Sequence, residues 1–246
     1  MSSAATAAVL AAPFVGSFLA TVAVRLPASR ATVFARSRCP ACAQTLAARD
    51  LVPVVSWVLN TGHCRYCAAP IDKSYLLMEL AALGVAIWAV AALDGDGRIL
   101  AGCVLGWTLL TLAVIDSRHF VLPDVLTLPL IGLGLLLAAD QGWGAFLNAG
   151  IGAVAGFFIF ALVGWTYWRL RAREGLGLGD AKLLAAAGAW VAWPGLASVV
   201  LIASLAALAS TAGRKLLHRD AATVPVAFGP YLGMATWLIV LYGPLV

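Results

Sequence analysis

The chain has 246 residues, of which 63% are hydrophobic and only 11% charged. A soluble domain carries about twice that share of charge, so composition excludes an ordinary water-soluble globule and makes the lipid bilayer the expected solvent. The net charge of +5 does not point to nucleic acid, because the basic residues sit in short segments beside apolar runs rather than in one folded patch.

A spanning helix needs about 20 mostly apolar residues. Runs at 5–25, 75–93, 99–117, 120–139, 145–167, 179–193, 195–212 and 226–245 predict an all-α polytopic membrane protein with eight transmembrane helices. The first run has no positive charge ahead of it and Arg25 behind it, the reverse of a secretory signal, so it is expected to be an uncleaved span. Only Trp193-Pro194-Gly195 separates the sixth run from the seventh. The division by composition is a first helix over 1–25, a polar domain over 26–74 and a seven-helix domain over 75–246. No internal repeat is visible.

Lys and Arg collect on the cytoplasmic side of membrane helices. With eight spans and the N-terminus outside, all of the 16 basic residues except Arg98 fall inside. Arg30, Arg36, Arg38, Arg49, Arg65 and Lys73 lie in the polar domain, Arg118 follows the third span, Arg169, Arg171, Arg173 and Lys182 flank the fifth-to-sixth connection, and Arg214, Lys215 and Arg219 follow the seventh. A different span count would scramble this alternation.

The polar domain carries CPAC (Cys39, Cys42) and CRYC (Cys64, Cys67). Disulfides are not expected in a reducing cytoplasm. Two CxxC pairs suit a tetrahedral thiolate site for zinc, although the 21 residues between them slightly exceed the about 15–20 of zinc ribbons. Four thiolates close the shell, so the ion would be structural and hold together a loop too short to bury much core. Redox-active dithiols, and a metal- or redox-sensing protein built on them, are the alternative. Cys103 lies mid-span and reads as a packing residue.

Acids within or beside membrane helices are functional candidates, here Glu79, Asp116, Asp124, Glu174 and Asp180. Each has a plain structural reading: Asp124 after Pro123 as a helix cap, Asp180 as an N-cap, Glu174 as a solvated loop acid, Asp116 as a terminal residue at the interface, Glu79 as a hydrogen-bonding partner between helices. The alternation of spans brings Asp116 and Asp180 to the same cytoplasmic depth from different helices. Two carboxylates sharing a site do not both ionise easily, which suits activation of water for peptide hydrolysis. The run GLGLGD before the sixth span has no GK[ST] and follows no strand, which excludes a P-loop. Its Gly177 and Gly179 either ease helix packing or leave bare backbone against which an extended peptide could lie. A transporter using Glu79, Asp116 and Asp180 as an ion or proton relay is the rival from another class. It predicts acids at the midplane, whereas these gather at one face.

The ordered motifs resemble those of the type IV prepilin peptidases, bacterial GxGD aspartyl proteases. They are GSFLATVAVRLP (16–27), the cysteine region RSRCPACAQTLAARDLVPVVSWVLNTGHCRYCAAPI (36–71), Tyr75 with Glu79, VIDSRHFVLPD, GLGLGDAKLLAAAGAW and VPVAFGPYLG (224–233). The resemblance covers nearly the whole chain. It implies that Asp116 and Asp180 are catalytic, that Gly177, Gly179, Asp124, Glu174 and Glu79 help position substrate, and that 75–246 is the peptidase domain. It also implies cleavage after a glycine, between a basic leader and an apolar helix, in type IV prepilins or type II secretion pseudopilins at the bacterial inner membrane, with both termini periplasmic. Family members with the cysteine domain commonly also methylate the new N-terminus with S-adenosylmethionine. No glycine-rich methyltransferase fingerprint is visible here.

Overall fold

The computed structural model describes residues 2–27, 36–173, 175–217 and 226–245. Arg30, Glu174, Arg219, Val224 and Pro225 lie outside the described residues. Helices account for almost all of the described secondary structure: α1 (Ser3–Arg25), α2 (Val55–Leu59), α3 (Lys73–Ala92), α4 (Asp96–His119), α5 (Asp124–Asp140), α6 (Trp143–Arg171), α7 (Leu178–Leu217) and α8 (Gly229–Tyr242). A 3₁₀ turn, Ala48–Leu51, precedes α2.

Each of the eight apolar runs falls on a helical segment. Among the described residues, α1, α3, α4, α6 and α7 are long and apolar enough, by length and composition, to cross a membrane. At 17 residues α5 is short, and so is α8 at 14. The chain is a multi-pass helical membrane protein; these five long helices do not by themselves establish the expected count of eight spans. The boundary placed at Trp193-Pro194-Gly195 coincides with a break in α7. Ala192 there has φ 57° and ψ 179°, and Pro194 follows without an N–H to give.

The chain divides into two compact units, Met1–Thr111 and Leu112–Val246, with the division inside α4. In the first unit α1 packs on α3. Buried Ala5, Ala8, Ala12, Gly16, Ala20 and Ala23 recur every three or four residues along α1, a stripe of small side chains that lets the backbones approach. A Cβ on Gly16 would stand 2.7 Å from the Glu79 Cα, so only glycine fits at that crossing. The Asp72 carboxylate caps α3 by accepting the Ser74 N–H at 2.8 Å, and the Trp107 indole N–H on α4 donates to the Ala82 carbonyl at 2.9 Å.

In the second unit α7 is the hub, packing on α5, α6 and α8. Gly152 and Gly156 of α6 meet Gly188 and Leu184 of α7 backbone to backbone, at distances no side chain would permit. The Trp190 indole N–H reaches the Leu130 carbonyl of α5 at 2.9 Å.

Candidate active site

Asp116 lies in the last turn of α4 and is buried, with 6% of its surface exposed. The helix stops just beyond it. Phe120 turns left-handed at φ 53° and returns its N–H to the Asp116 carbonyl at 2.9 Å. A carboxylate is disfavoured at a helix C-terminus, where unpaired carbonyls carry partial negative charge. What offsets this is the start of α8. The Gly229 N–H, one of the donors left without an intrahelical partner in a first turn, donates to Asp116 Oδ2 at 2.9 Å.

Asp180 is the third residue of α7 and Gly177 its N-cap. The Gly177 N–H donates to Asp180 Oδ2 at 3.3 Å, half of a capping box, and the Asp180 N–H returns to the Gly177 carbonyl at 3.1 Å. Asp180 is therefore capped rather than the cap. The two acids arrive from different helices of the same unit. They are the two acids that the charge alternation puts at one depth.

Of the two glycines, only Gly177 has room beside it. A Cβ there would meet nothing closer than Asp180 Oδ2 at 3.7 Å. Gly179 is already helical, and a Cβ on it would stand 3.1 Å from the Leu122 Cβ. The absence of a side chain at Gly179 lets the start of α7 press on Leu122 in the loop after α4. The bare-backbone reading fits Gly177 alone.

Asp124 opens α5, but no side-chain capping bond forms there. Its two oxygens instead accept from Lys182 Nζ at 2.7 and 2.8 Å, tying α5 to the first turn of α7. Both side chains are partly exposed, so the pair contributes about 0–1 kcal/mol, and its value is to fix geometry. Glu174 lies outside the described residues. Glu79 is in the first unit, buried, and accepts the Val54 N–H at 2.7 Å. Removing that acceptor strands a donor. Glu79→Ala should destabilise the first unit by about 1–3 kcal/mol, read as a lower thermal midpoint in detergent, while Glu79→Gln keeps an acceptor and should cost less.

Gly229 was not singled out by sequence reasoning, although it lies within VPVAFGPYLG. A Cβ on it would stand 2.6 Å from Asp116 Oδ2. The available signal was a glycine directly before proline at a helix start, where the glycine N–H is unspent.

The cysteines gather in the first unit. The sulfurs of Cys39, Cys42, Cys64 and Cys67 lie within 4.8 Å of one another, and no disulfide joins them among the described residues. The two pairs sit on small hairpins of the same form. Cys39 N–H bonds the Gln44 carbonyl and Leu46 N–H the Ser37 carbonyl; Cys64 N–H bonds Ala69 and Ile71 N–H bonds Gly62 in the same pattern. Ala43 and Ala68 take the left-handed turn in each, at φ 58° and 55°. This is an internal repeat that the sequence analysis missed, because between SRCPACAQTL and GHCRYCAAPI only the cysteines and one alanine coincide. Asp50 joins the 3₁₀ turn to the second hairpin through Arg65 Nε at 3.0 Å and the Tyr66 hydroxyl at 2.9 Å.

These residues fit a metal ion. Sulfurs bound tetrahedrally at about 2.3 Å stand about 3.8 Å apart, and Cys39 Sγ and Cys67 Sγ are 3.8 Å apart. The N–H groups of Cys42 and Ala41 lower the Cys39 thiol to about 6. Cys67, despite the Ala69 N–H that favours its thiolate, is pushed up to about 12 by desolvation and the other three sulfurs. Four crowded sulfurs do not all ionise without a cation to compensate them.

Comparison with known proteins adds the following. The profile of the bacterial peptidase A24 N-terminal domain matches residues 10–93, and that of the type IV leader peptidase family matches residues 103–212. A prepilin leader peptidase/N-methyltransferase of Aeromonas hydrophila is 41% identical over 210 residues, covering 85% of this chain and 72% of its own. One from Burkholderia pseudomallei (strain K96243) is 41% identical over 210 residues, covering 84% and 67%. One from Pseudomonas aeruginosa is 36% identical over 215 residues, covering 86% and 73%. No solved structure matches the chain.

Proposed function

The chain belongs to the type IV leader peptidase family, and we propose that it removes the leader of type IV prepilins or type II secretion pseudopilins with Asp116 and Asp180 as its catalytic carboxylates. What supports the assignment is that two acids from different helices of one unit stand in helix end turns, each accepting a backbone N–H. Asp116 takes the Gly229 N–H and Asp180 the Gly177 N–H. One aspartate accepts a proton from water as it attacks the scissile carbonyl. The other, protonated, hydrogen-bonds the developing oxyanion and then protonates the leaving amine. The dyad titrates as a unit, so the two roles belong to the pair.

The last turn of α4 and the first turn of α7 carry Arg118 and Lys182, the charge signature of a cytoplasmic face. A prepilin changes there from basic leader to apolar helix. In this orientation the enzyme lies in the bacterial inner membrane with both termini periplasmic, the cysteine domain 26–74 in the cytoplasm, and the peptidase machinery within 75–246. Gly177, Asp124, Glu174 and Glu79 remain the proposed positioning residues, Gly177 with the firmest geometric support. The transporter reading finds no support, since Asp116 and Asp180 lie in the end turns of their helices rather than mid-span.

The relatives' names pair cleavage with N-methylation, and methylation of the new amine from S-adenosylmethionine is the second half of the proposal. The chain has no glycine-rich nucleotide loop of the usual kind, so no residue is assigned to that donor. The deciding experiment is incubation of the purified protein with a prepilin, with and without S-adenosylmethionine, followed by the mass of the product. Loss of the leader establishes the peptidase, and a product one methyl group heavier the transferase. An intact prepilin at every enzyme concentration would remove the proposal.

For the four cysteines, zinc in a structural role is the proposed ion, supported by the thiolate donor set and the repeated hairpin. Metal analysis should find about one zinc per chain, lost in Cys64→Ser with Cys67→Ser, which should also unfold the hairpins to protease. A metal-free protein with protected hairpins would contradict this.

A further inference from the structure

The cysteine domain contains one stretch that does not suit a cytoplasmic loop. From Leu51 to Leu59 the sequence is LVPVVSWVL, without a charge. Leu51, Val52, Val55, Val58 and Leu59 are 41%, 38%, 51%, 57% and 73% exposed. Exposed apolar side chains gathered this closely on a small polar domain mark a contact surface. The inner face of this stretch is accounted for: Pro53 is buried and the Trp57 ring packs against Gly62, where a Cβ would stand 2.8 Å from it. The outer face is not.

Glu79 fixes where that outer face lies. It is the seventh residue of α3, about 9 Å along the axis from Lys73 at 1.5 Å per residue, and so in the second turn of a membrane-length helix. Its carboxylate holds the Val54 N–H at 2.7 Å, which sets the middle of the stretch level with that turn. Leu77 and Leu80, on either side of Glu79, are 63% and 45% exposed, as lipid-facing residues of a span are. Val54 is held at φ 62°, a region that a β-branched residue seldom enters, so the tie is maintained against backbone strain. Arg49 precedes the stretch and Lys73 begins α3, placing positive charge where anionic headgroups would lie.

We infer that Leu51–Leu59 is an interfacial element whose outer face is seated in the phospholipid leaflet bordering the cysteine domain. Glu79 anchors the stretch at that depth, and the cysteine hairpins ride above it. The domain is thereby held at the membrane surface instead of swinging on two connections. This reading does not depend on the chemistry at Asp116 and Asp180.

The test uses the full chain in nanodiscs of phosphatidylethanolamine and phosphatidylglycerol. Photoreactive p-benzoyl-phenylalanine replaces Val58 or Leu59, or the exposed Gln44 of the first hairpin as a control. A thermal midpoint and a protease-digestion pattern like the parent's establish that each variant is folded. After irradiation, mass spectrometry should find phospholipid adducts at positions 58 and 59 at least about fivefold above those at 44, as expected for side chains lying some 5–10 Å into the boundary. Adduct yields equal to the control would overturn the inference. So would cross-links that go instead to a second copy of the chain, or to an added prepilin.

Discussion

Asp116→Asn and Asp180→Asn should each lower the rate of leader cleavage by about 10²–10⁴-fold, because each removes one half of a proton-transfer pair while leaving a side chain of the same shape. In either variant the amide keeps an oxygen that can accept the N–H of Gly229 or of Gly177, so both proteins should insert and unfold like the parent. Substrate capture should survive. The loss therefore belongs in kcat, with KM little changed, and the double variant should be scarcely worse than either single one. Asp124→Asn breaks a partly exposed ion pair with Lys182 and touches neither acid, so its effect should be several times smaller. Full activity in Asp116→Asn or Asp180→Asn would end the dyad assignment; a loss at Asp124 as deep as theirs would put a third acid in the chemistry.

Gly229→Ala is the second large expectation. The added methyl would stand 2.6 Å from Asp116 Oδ2 and 3.1 Å from its Cγ, so either the carboxylate or the start of α8 must move. In either case the 2.9 Å bond that orients Asp116 is stretched. A displacement of about 1 Å at a reacting group reduces turnover by about 10²-fold, and that is the expected drop in kcat. A structural role alone would lower stability without separating kcat from KM. Gly213→Ala is the control, since its Cβ meets nothing within 4 Å and it should behave as the parent. Equal kinetics for the two variants would show that Asp116 does not depend on the α8 N-terminus.

Lys182 and Gly179 show why the site needed three dimensions. Both belong to the run GLGLGDAK, and both have partners where the chain passes from α4 into α5: Asp124, the first residue of α5, for the lysine and Leu122 for Gly179. That corner wraps the start of α7, which explains how acids 64 positions apart share a site. Glycine alone could not say which of its two uses applied. At Gly179 the neighbour is a leucine from a remote segment, and such a contact leaves no local mark in the sequence. The same holds for Asp124, where the local rule favoured a cap and a lysine on another helix drew the carboxylate away.

Much was nonetheless decided along the chain itself. Apolar run length, the charge alternation and the spacing of the CxxC pairs are local properties, since bilayer thickness, the inside preference of basic residues and metal-ligand spacing all act on short segments. They determined a helical membrane protein, led to the expectation that Asp116 and Asp180 share one depth, and pointed to a cluster of four cysteines. The number of crossings is not decided in the same way, because apolar runs fold here into helices as short as 14 and 17 residues. Only the tertiary structure decided what each polar group is bonded to. Gly229 holding Asp116, Glu79 holding Val54 and the twinned cysteine hairpins all depend on backbone N–H groups. Every residue but proline has that donor, so sequence cannot distinguish the one that is spent on a carboxylate from those that are not.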